Sequence, residues 1–114
     1  MKNEEKRKHQ RFSSLNLSYV CLDEDQRAVK HGMGRTLNLS ESGILLETHF
    51  PIEAQHTVLL SIGLGDDVAD VRGRLVHSRA MEEEVHEIGI EFVNPEEKAL
   101  QSIRQFIRLL ALEG

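Results

Sequence analysis

The chain has 114 residues, enough for one domain with a single core and too few for two. Hydrophobic residues make up 39% and charged residues 29%, as in a soluble globular protein, and the single cysteine, Cys21, excludes an intramolecular disulfide and a cysteine-rich zinc site. The formal net charge of −5 argues against a general nucleic-acid binder, and no apolar stretch approaches the ~20 residues that a membrane-spanning helix needs.

The first segment, residues 1–11, is basic although the chain as a whole is acidic. It carries five basic residues and two acidic ones, a balance of +3, which leaves −8 for residues 12–114. It has no aliphatic or aromatic residue after Met1, so we expect a flexible N-terminal arm followed by one domain over 12–114. It also lacks the apolar run of a signal peptide. A cytoplasmic and freestanding protein is therefore expected.

The next part of the chain has the pattern of six short β-strands. In the first, Leu17, Tyr19 and Cys21 recur at every second position, the period of a half-buried strand. The other five are predicted at about 28–39, 44–47, 57–62, 68–79 and 85–93. Alternation along the fifth places Leu75 and His77 on the same face. Strands at this spacing predict an antiparallel barrel or sandwich.

The end of the chain has a helical pattern. Asn94 is predicted to cap a helix, with Pro95 at its first position and Glu97 three residues after the cap. Apolar residues then recur at helical spacing, namely Leu100, Ile103, Phe106, Ile107 and Leu110. We expect this stripe to lie against the strands or cover an open end. The second alternative is that Leu109, Leu112 and their neighbours bind in a groove of a partner protein.

A polar connection, residues 38–43, lies between the second and third predicted strands. Asn38 and Ser40 suit a turn because their short side chains bond nearby backbone groups, and Gly43 can take a positive φ at no steric cost. Gly43 is expected to permit the backbone of the turn and a close approach rather than to make a side-chain contact. Upstream, Arg7 and Arg11 have no evident role in building the fold. An acceptor-bearing turn and a two-arginine segment together predict a site for a planar, anionic ligand.

These two segments, Arg7-x-x-x-Arg11 and Asn38-x-Ser40-x-x-Gly43, resemble the signature of PilZ domains, the bacterial receptors for cyclic di-GMP. That signature is an RxxxR segment followed by (D/N)xSxxG, and both halves occur here in order.

The resemblance extends over nearly the whole chain, from about residue 6 to residue 110. The family's fifth strand is similar to residues 73–76, which read Gly-Arg-Leu-Val, and its sixth strand is similar to residues 88–92, which read Ile-Gly-Ile-Glu-Phe. The helix that begins at Asn94 resembles the family's terminal helix. The fold this implies is all-β with a C-terminal helix, a six-stranded antiparallel split β-barrel.

The function that the resemblance implies is a receptor for cyclic di-GMP, with Arg7, Arg11, Asn38, Ser40 and Gly43 as the ligand-binding residues. An arginine fork matches the O6 and N7 acceptors of guanine, which lysine cannot do. Ligand is expected to order the arm on the barrel and change the surface offered to a downstream protein, whose identity the sequence does not give. No cofactor, metal, nucleic acid or membrane span is expected.

Three other functions are weighed against this one. A PilZ-fold adaptor for protein interaction would lack nucleotide binding, although here the motif is complete. A barrel that binds single-stranded nucleic acid usually has a basic, aromatic groove, and this chain is acidic with four Phe and one Tyr. An enzyme is not indicated, because no nucleophile elbow, metal-ligand set or phosphate loop is present.

Several other residues have an ordinary structural role as their first interpretation. Arg35 and Arg74 are candidates to join the site, but exposed barrel positions are the commoner role for such residues. The six histidines show no paired metal-ligand spacing, and His77 is the one expected nearest the ligand side. Cys21 is expected in the core.

Overall fold

Six strands and one C-terminal helix make up the described part of the chain. The computed structural model describes residues 16–52, 57–64 and 67–113. Its elements are β1 (Asn16–Leu22), β2 (Ala28–Leu39), β3 (Gly43–Thr48), β4 (Thr57–Leu64), β5 (Asp67–Ala80), β6 (His86–Phe92) and α1 (Glu97–Glu113). All strand pairs are antiparallel, and the sheet closes into a barrel in the order β1-β2-β3-β6-β5-β4. The predicted fold class is confirmed.

The core lies inside the barrel, because successive side chains of a strand point to opposite faces of the sheet. In β4 the alternation is complete: Val58, Leu60, Ile62 and Leu64 are buried and the residues between them are half-buried. On β1, Cys21 is fully buried, as predicted.

Three register shifts occur in the described strands: one between β1 and β2 at Leu22, and two β-bulges near the turn, one in β2 and one in β5. The pairing register shifts between Thr36 and Asn38, and again between Leu75 and His77. A bulge places one extra residue in a strand, so the residues after it change faces. Asn38 therefore points outward although Thr36 is buried, and His77 points outward although Leu75 packs against the core. The expectation that Leu75 and His77 share a face is wrong for this reason.

The helix begins two residues later than predicted. The backbone N–H of Val93 still bonds the carbonyl of Arg72 at 2.7 Å, so the sheet continues to that residue. Asn94 then takes a left-handed conformation with φ of 45°, which turns the chain out of the sheet. The first i→i−4 bond of the helix is accepted by Glu96, from the N–H of Leu100 at 3.0 Å. Asn94 is thus a turn residue and not the helix cap.

The helix packs on β4 and β5 through the predicted apolar stripe. Ile103 is fully buried in the core cluster, and Phe106 and Ile107 pack against it. The side chains of Leu110 and Leu112 lie outside the described part of the structure. In the part of the chain that the structure describes, no helix is long and apolar enough to cross a membrane.

Candidate functional site

The turn between β2 and β3 is built by the hydroxyl of Ser40. This oxygen lies 3.3 Å from the backbone N–H of Ser42, from which it accepts, and 3.2 Å from the hydroxyl of the same residue. The Ser40 hydroxyl also lies 3.3 Å from the carbonyl oxygen of Gly43. The same carbonyl accepts a 2.9 Å hydrogen bond from the backbone N–H of Ser40. The predicted turn chemistry is confirmed for Ser40 and is wrong for Asn38, whose side chain makes no hydrogen bond to a described residue. Ser40 is exposed, so its hydroxyl remains accessible from solvent while it holds the turn.

Gly43 is required here by a close approach and not by its backbone angle. Its φ lies outside the left-handed region, so the turn does not use the freedom of glycine to take a positive φ. A Cβ at this position would overlap the backbone carbonyl oxygen of Ile90 on the neighbouring strand β6. The missing side chain therefore allows β3 to pair with β6 immediately after the turn, where Gly43 pairs with Glu91.

An open groove of about 330 Å³ lies on the outer face of the barrel beside this turn. One row of paired residues crosses it: Asn38 on β2 pairs with Leu45 on β3, which pairs with Gly89 on β6. Gly89 pairs in turn with His77 on β5, which is not among the residues that line the groove. The exposed bulge residue Val76 also lines it. The bulges in β2 and β5 thus bring the two ends of this row to the same outer face.

Asn38 is the polar group at the β2 end of this groove. Its side chain is exposed and makes no hydrogen bond to any residue that the structure describes. An amide can donate and accept at once, so this group is free to bond a base edge.

The floor of the groove is Gly89. A Cβ there would lie 2.9 Å from the Cβ of His77, so a larger residue would collide with the neighbouring strand. A glycine inside a strand pattern signals such a close approach, and this position could have been chosen from the sequence on that ground.

Arg35 and Arg74, the two other arginines considered for the site, have carboxylate partners. Arg35 contacts Glu47 at 2.8 Å, and Arg74 contacts Glu91 at 2.7 Å, with both arginines largely exposed. Glu91 lines the groove, so Arg74 balances its charge at that edge. The structure does not assign either arginine to the ligand.

The predicted site residues fall into two groups. The structure brings Asn38, Ser40 and Gly43 together at one turn beside the groove. Arg7 and Arg11 lie outside the described residues.

A side chain that the sequence did not indicate, Arg104 of α1, also contacts the turn. Its Nε donates to Glu41 Oε1 at 2.8 Å, and its Nη1 lies 3.5 Å from Glu97 Oε2. The hydrogen bond to Glu41, with the attraction of the two carboxylates, raises the pKa of Arg104 above its ordinary value. The contact joins residues 63 positions apart, and no sequence pattern connects them.

A second depression, of about 540 Å³, lies over β4 and β5, and several of its polar side chains are bonded: Ser61 to Asp70 at 2.7 Å, and Arg72 to Gln26 at 3.3 Å. Within residues 16–52, 57–64 and 67–113, no three His, Cys, Asp or Glu side chains are grouped so as to hold a metal ion.

Fold and site together define a six-stranded barrel domain with a glycine-closed polar turn beside an open outer groove. The chain belongs to the PilZ domain family, whose model matches residues 5–109 and so covers both halves of the motif. No curated protein matches the sequence.

Solved structures with the same fold include a PilZ domain and the protein MrkH. The PilZ domain of YcgR from Escherichia coli, determined with c-di-GMP, has a TM-score of 0.60 and 13% identity, over 87% of this chain and 83% of that one. MrkH of K. pneumonia in its apo state has a TM-score of 0.64 and 12% identity over 86% of this chain. The chain spans about half of MrkH, 47% of its length.

Proposed function

We propose that this chain is a non-enzymatic receptor for cyclic di-GMP and that Arg7, Arg11, Asn38, Ser40 and Gly43 bind the ligand. Membership of the PilZ family, by a match that includes both motif halves, supports the proposal. The YcgR PilZ domain, which has the same fold, was determined with this ligand. Because the ligand is an intracellular second messenger, the proposal places the protein in the cytoplasm.

The observation that carries the proposal is the place where β1 begins. Its first residue, Asn16, pairs with Arg35, which lies three residues before Asn38 on the adjacent strand. Three strand residues span about 10 Å, and the five steps from Arg11 to Asn16 span at most about 18 Å. Arg11 is therefore within reach of the turn and the groove.

The chemistry of the ligand suits these residue types. Cyclic di-GMP presents two guanines and two phosphates, and an arginine fork bonds either the O6 and N7 edge of guanine or a phosphate in two parallel bonds. The same planar group stacks on a base face. The exposed amide of Asn38, which bonds no described residue, offers a donor and an acceptor at the groove.

Binding of this kind has a regulatory consequence. A segment that becomes ordered only with ligand lowers the affinity by its entropy cost and creates a surface that the free protein lacks. We infer that cyclic di-GMP folds the arm onto the barrel and that the new surface engages or releases a downstream protein.

Titration calorimetry with cyclic di-GMP tests the site. The wild type should bind, and Arg11→Ala should bind about 10-fold or more weakly, as the loss of charge-assisted bonds of about 1.5–3 kcal/mol requires. Arg27→Ala is a matched control, because Arg27 lies in the β1–β2 turn at the opposite end of the strands and its side chain has no partner among the described residues. Equal binding by the wild type and Arg11→Ala would remove the site assignment.

Amide hydrogen exchange tests the ordering of the arm separately. Saturating ligand should protect residues 7–11, while the β1–β2 turn should exchange as in the free protein. Unchanged exchange in the arm, in a protein that does bind, would disprove the ordering and leave the receptor role intact.

A further inference from the structure

The turn at residues 38–43 is attached to the rest of the molecule at two points besides its own strands. The carbonyl of Ser42 accepts a 2.9 Å bond from the backbone N–H of Phe92 at the end of β6. The carboxylate of Glu41 accepts a 2.8 Å bond from Arg104 of α1. The two attachments are made by Glu41 and Ser42, which occupy the two variable positions of the motif between Ser40 and Gly43.

Arg104 is well placed to hold the turn because its own backbone is fixed. The preceding residue, Ile103, is fully buried in the core cluster. The guanidinium uses one nitrogen for Glu41 and another for Glu97 in the first turn of the helix. Arginine can bridge two carboxylates in this way because its donors lie in a rigid fork.

We propose that Arg104 is a positioning residue for the ligand-binding turn and that its bond to Glu41 links that turn to the terminal helix. The inference deepens the proposed function and rests on it for the ligand. Arg104 fixes the tip of the turn and offsets the charge of Glu41, which would otherwise repel an anionic ligand. By reciprocity, whatever displaces the helix weakens ligand binding, and ligand binding strengthens the helix contact.

The free protein offers the first test, since it needs no ligand. In NMR spectra, Arg104→Gln and Glu41→Gln should each shift the backbone amides of residues 40–43, and Glu41→Gln should move the Nε–H signal of Arg104. Arg108→Gln removes the same charge one helical turn later, at an exposed residue with no partner among the described residues, and should leave these amides unmoved. Turn amides that do not respond to Arg104→Gln would overturn the inference.

Ligand affinity offers the second test, through a double-mutant cycle. Arg104→Gln should weaken cyclic di-GMP binding about two- to fivefold, the range of exposed ion pairs, and should have no effect when Glu41 is already Gln. A general loss of helix stability would instead weaken binding in both backgrounds, which would overturn the inference. A wild type that binds no ligand would refute the proposed function, and the amide shifts of the free protein would still decide the role of Arg104.

Discussion

Three residues of the turn that share one motif have different physical roles. Ser40 uses its hydroxyl to close the turn, and Asn38 exposes an amide at the groove that bonds no residue in the described part of the chain. Gly43 contributes the absence of a side chain where β3 meets β6. In the described structure the motif therefore specifies a backbone shape and one exposed polar side chain beside the groove.

The close approach at Gly43 predicts a stability cost for any side chain there. Gly43→Ala should lower the free energy of unfolding by about 1–3 kcal/mol, because the methyl group meets a backbone carbonyl that cannot rotate away. Urea denaturation measures the difference. Ser42→Ala, which keeps the backbone bond to Phe92, should change the stability by no more than about 0.5 kcal/mol. Equal stability of Gly43→Ala and the wild type would contradict this account.

At the scale of elements, the two bulges decide which side chains face the groove. Without the extra residue in β2, Asn38 would share the face of Thr36 and point into the core; without that in β5, His77 would follow Leu75 inward. Each bulge reverses the faces of the strand residues that follow it. Both reversals occur in strands that β3 and β6 separate, and the groove is lined from these two strands by Asn38 and by the bulge residue Val76.

A few buried residues hold the terminal helix on the barrel. Substitutions along the helix should therefore change the stability of the protein by unequal amounts. Ile103→Ala should destabilise the protein by about 2–5 kcal/mol, since the side chain is fully buried. Leu109→Ala, at a residue that is 51% exposed, should cost no more than about 0.5 kcal/mol. Thermal unfolding followed by circular dichroism compares the two variants. Similar losses for both would show that the helix packs through a different face.

The whole barrel encloses its only tyrosine. Tyr19 is 2% exposed, and its hydroxyl lies over Gly32 on β2, where a Cβ would be only 2.7 Å from it. Burial, with a smaller contribution from Cys21, raises the pKa of the phenol above its ordinary value. Since the chain has no tryptophan, the ionisation of this one phenol can be followed by ultraviolet absorbance in the intact protein.

The raised pKa of Tyr19 predicts a loss of stability in alkali. Below about pH 10 the phenol is neutral in both the folded and the unfolded states, so its contribution is fully present. As pH rises from there through the folded-state pKa, only the unfolded chain releases the proton, and the free energy of unfolding falls. Denaturant titrations at a series of pH values should show a steeper fall for the wild type than for Tyr19→Phe. Parallel curves for the two proteins would contradict the prediction.

Much of the fold and part of the site could be predicted from the residues alone. Alternating apolar residues predicted six strands, the stripe around Ile103 predicted the helix, and the polar run from Asn38 to Gly43 predicted the turn. These are local patterns with the periods of a strand and a helix, so the chain reveals them without its partners.

The tertiary structure decided the features that depend on residues far apart in the chain. The two bulges, the close approach of Gly43 to Ile90, the later start of the helix after Asn94 and the bond from Arg104 to Glu41 all arise between elements. A register shift or a long-range ion pair depends on how two segments pack against each other, so the sequence of either segment alone does not indicate it. The sequence thus determined which residue types form the turn, and the closure of the barrel decided where each of them points.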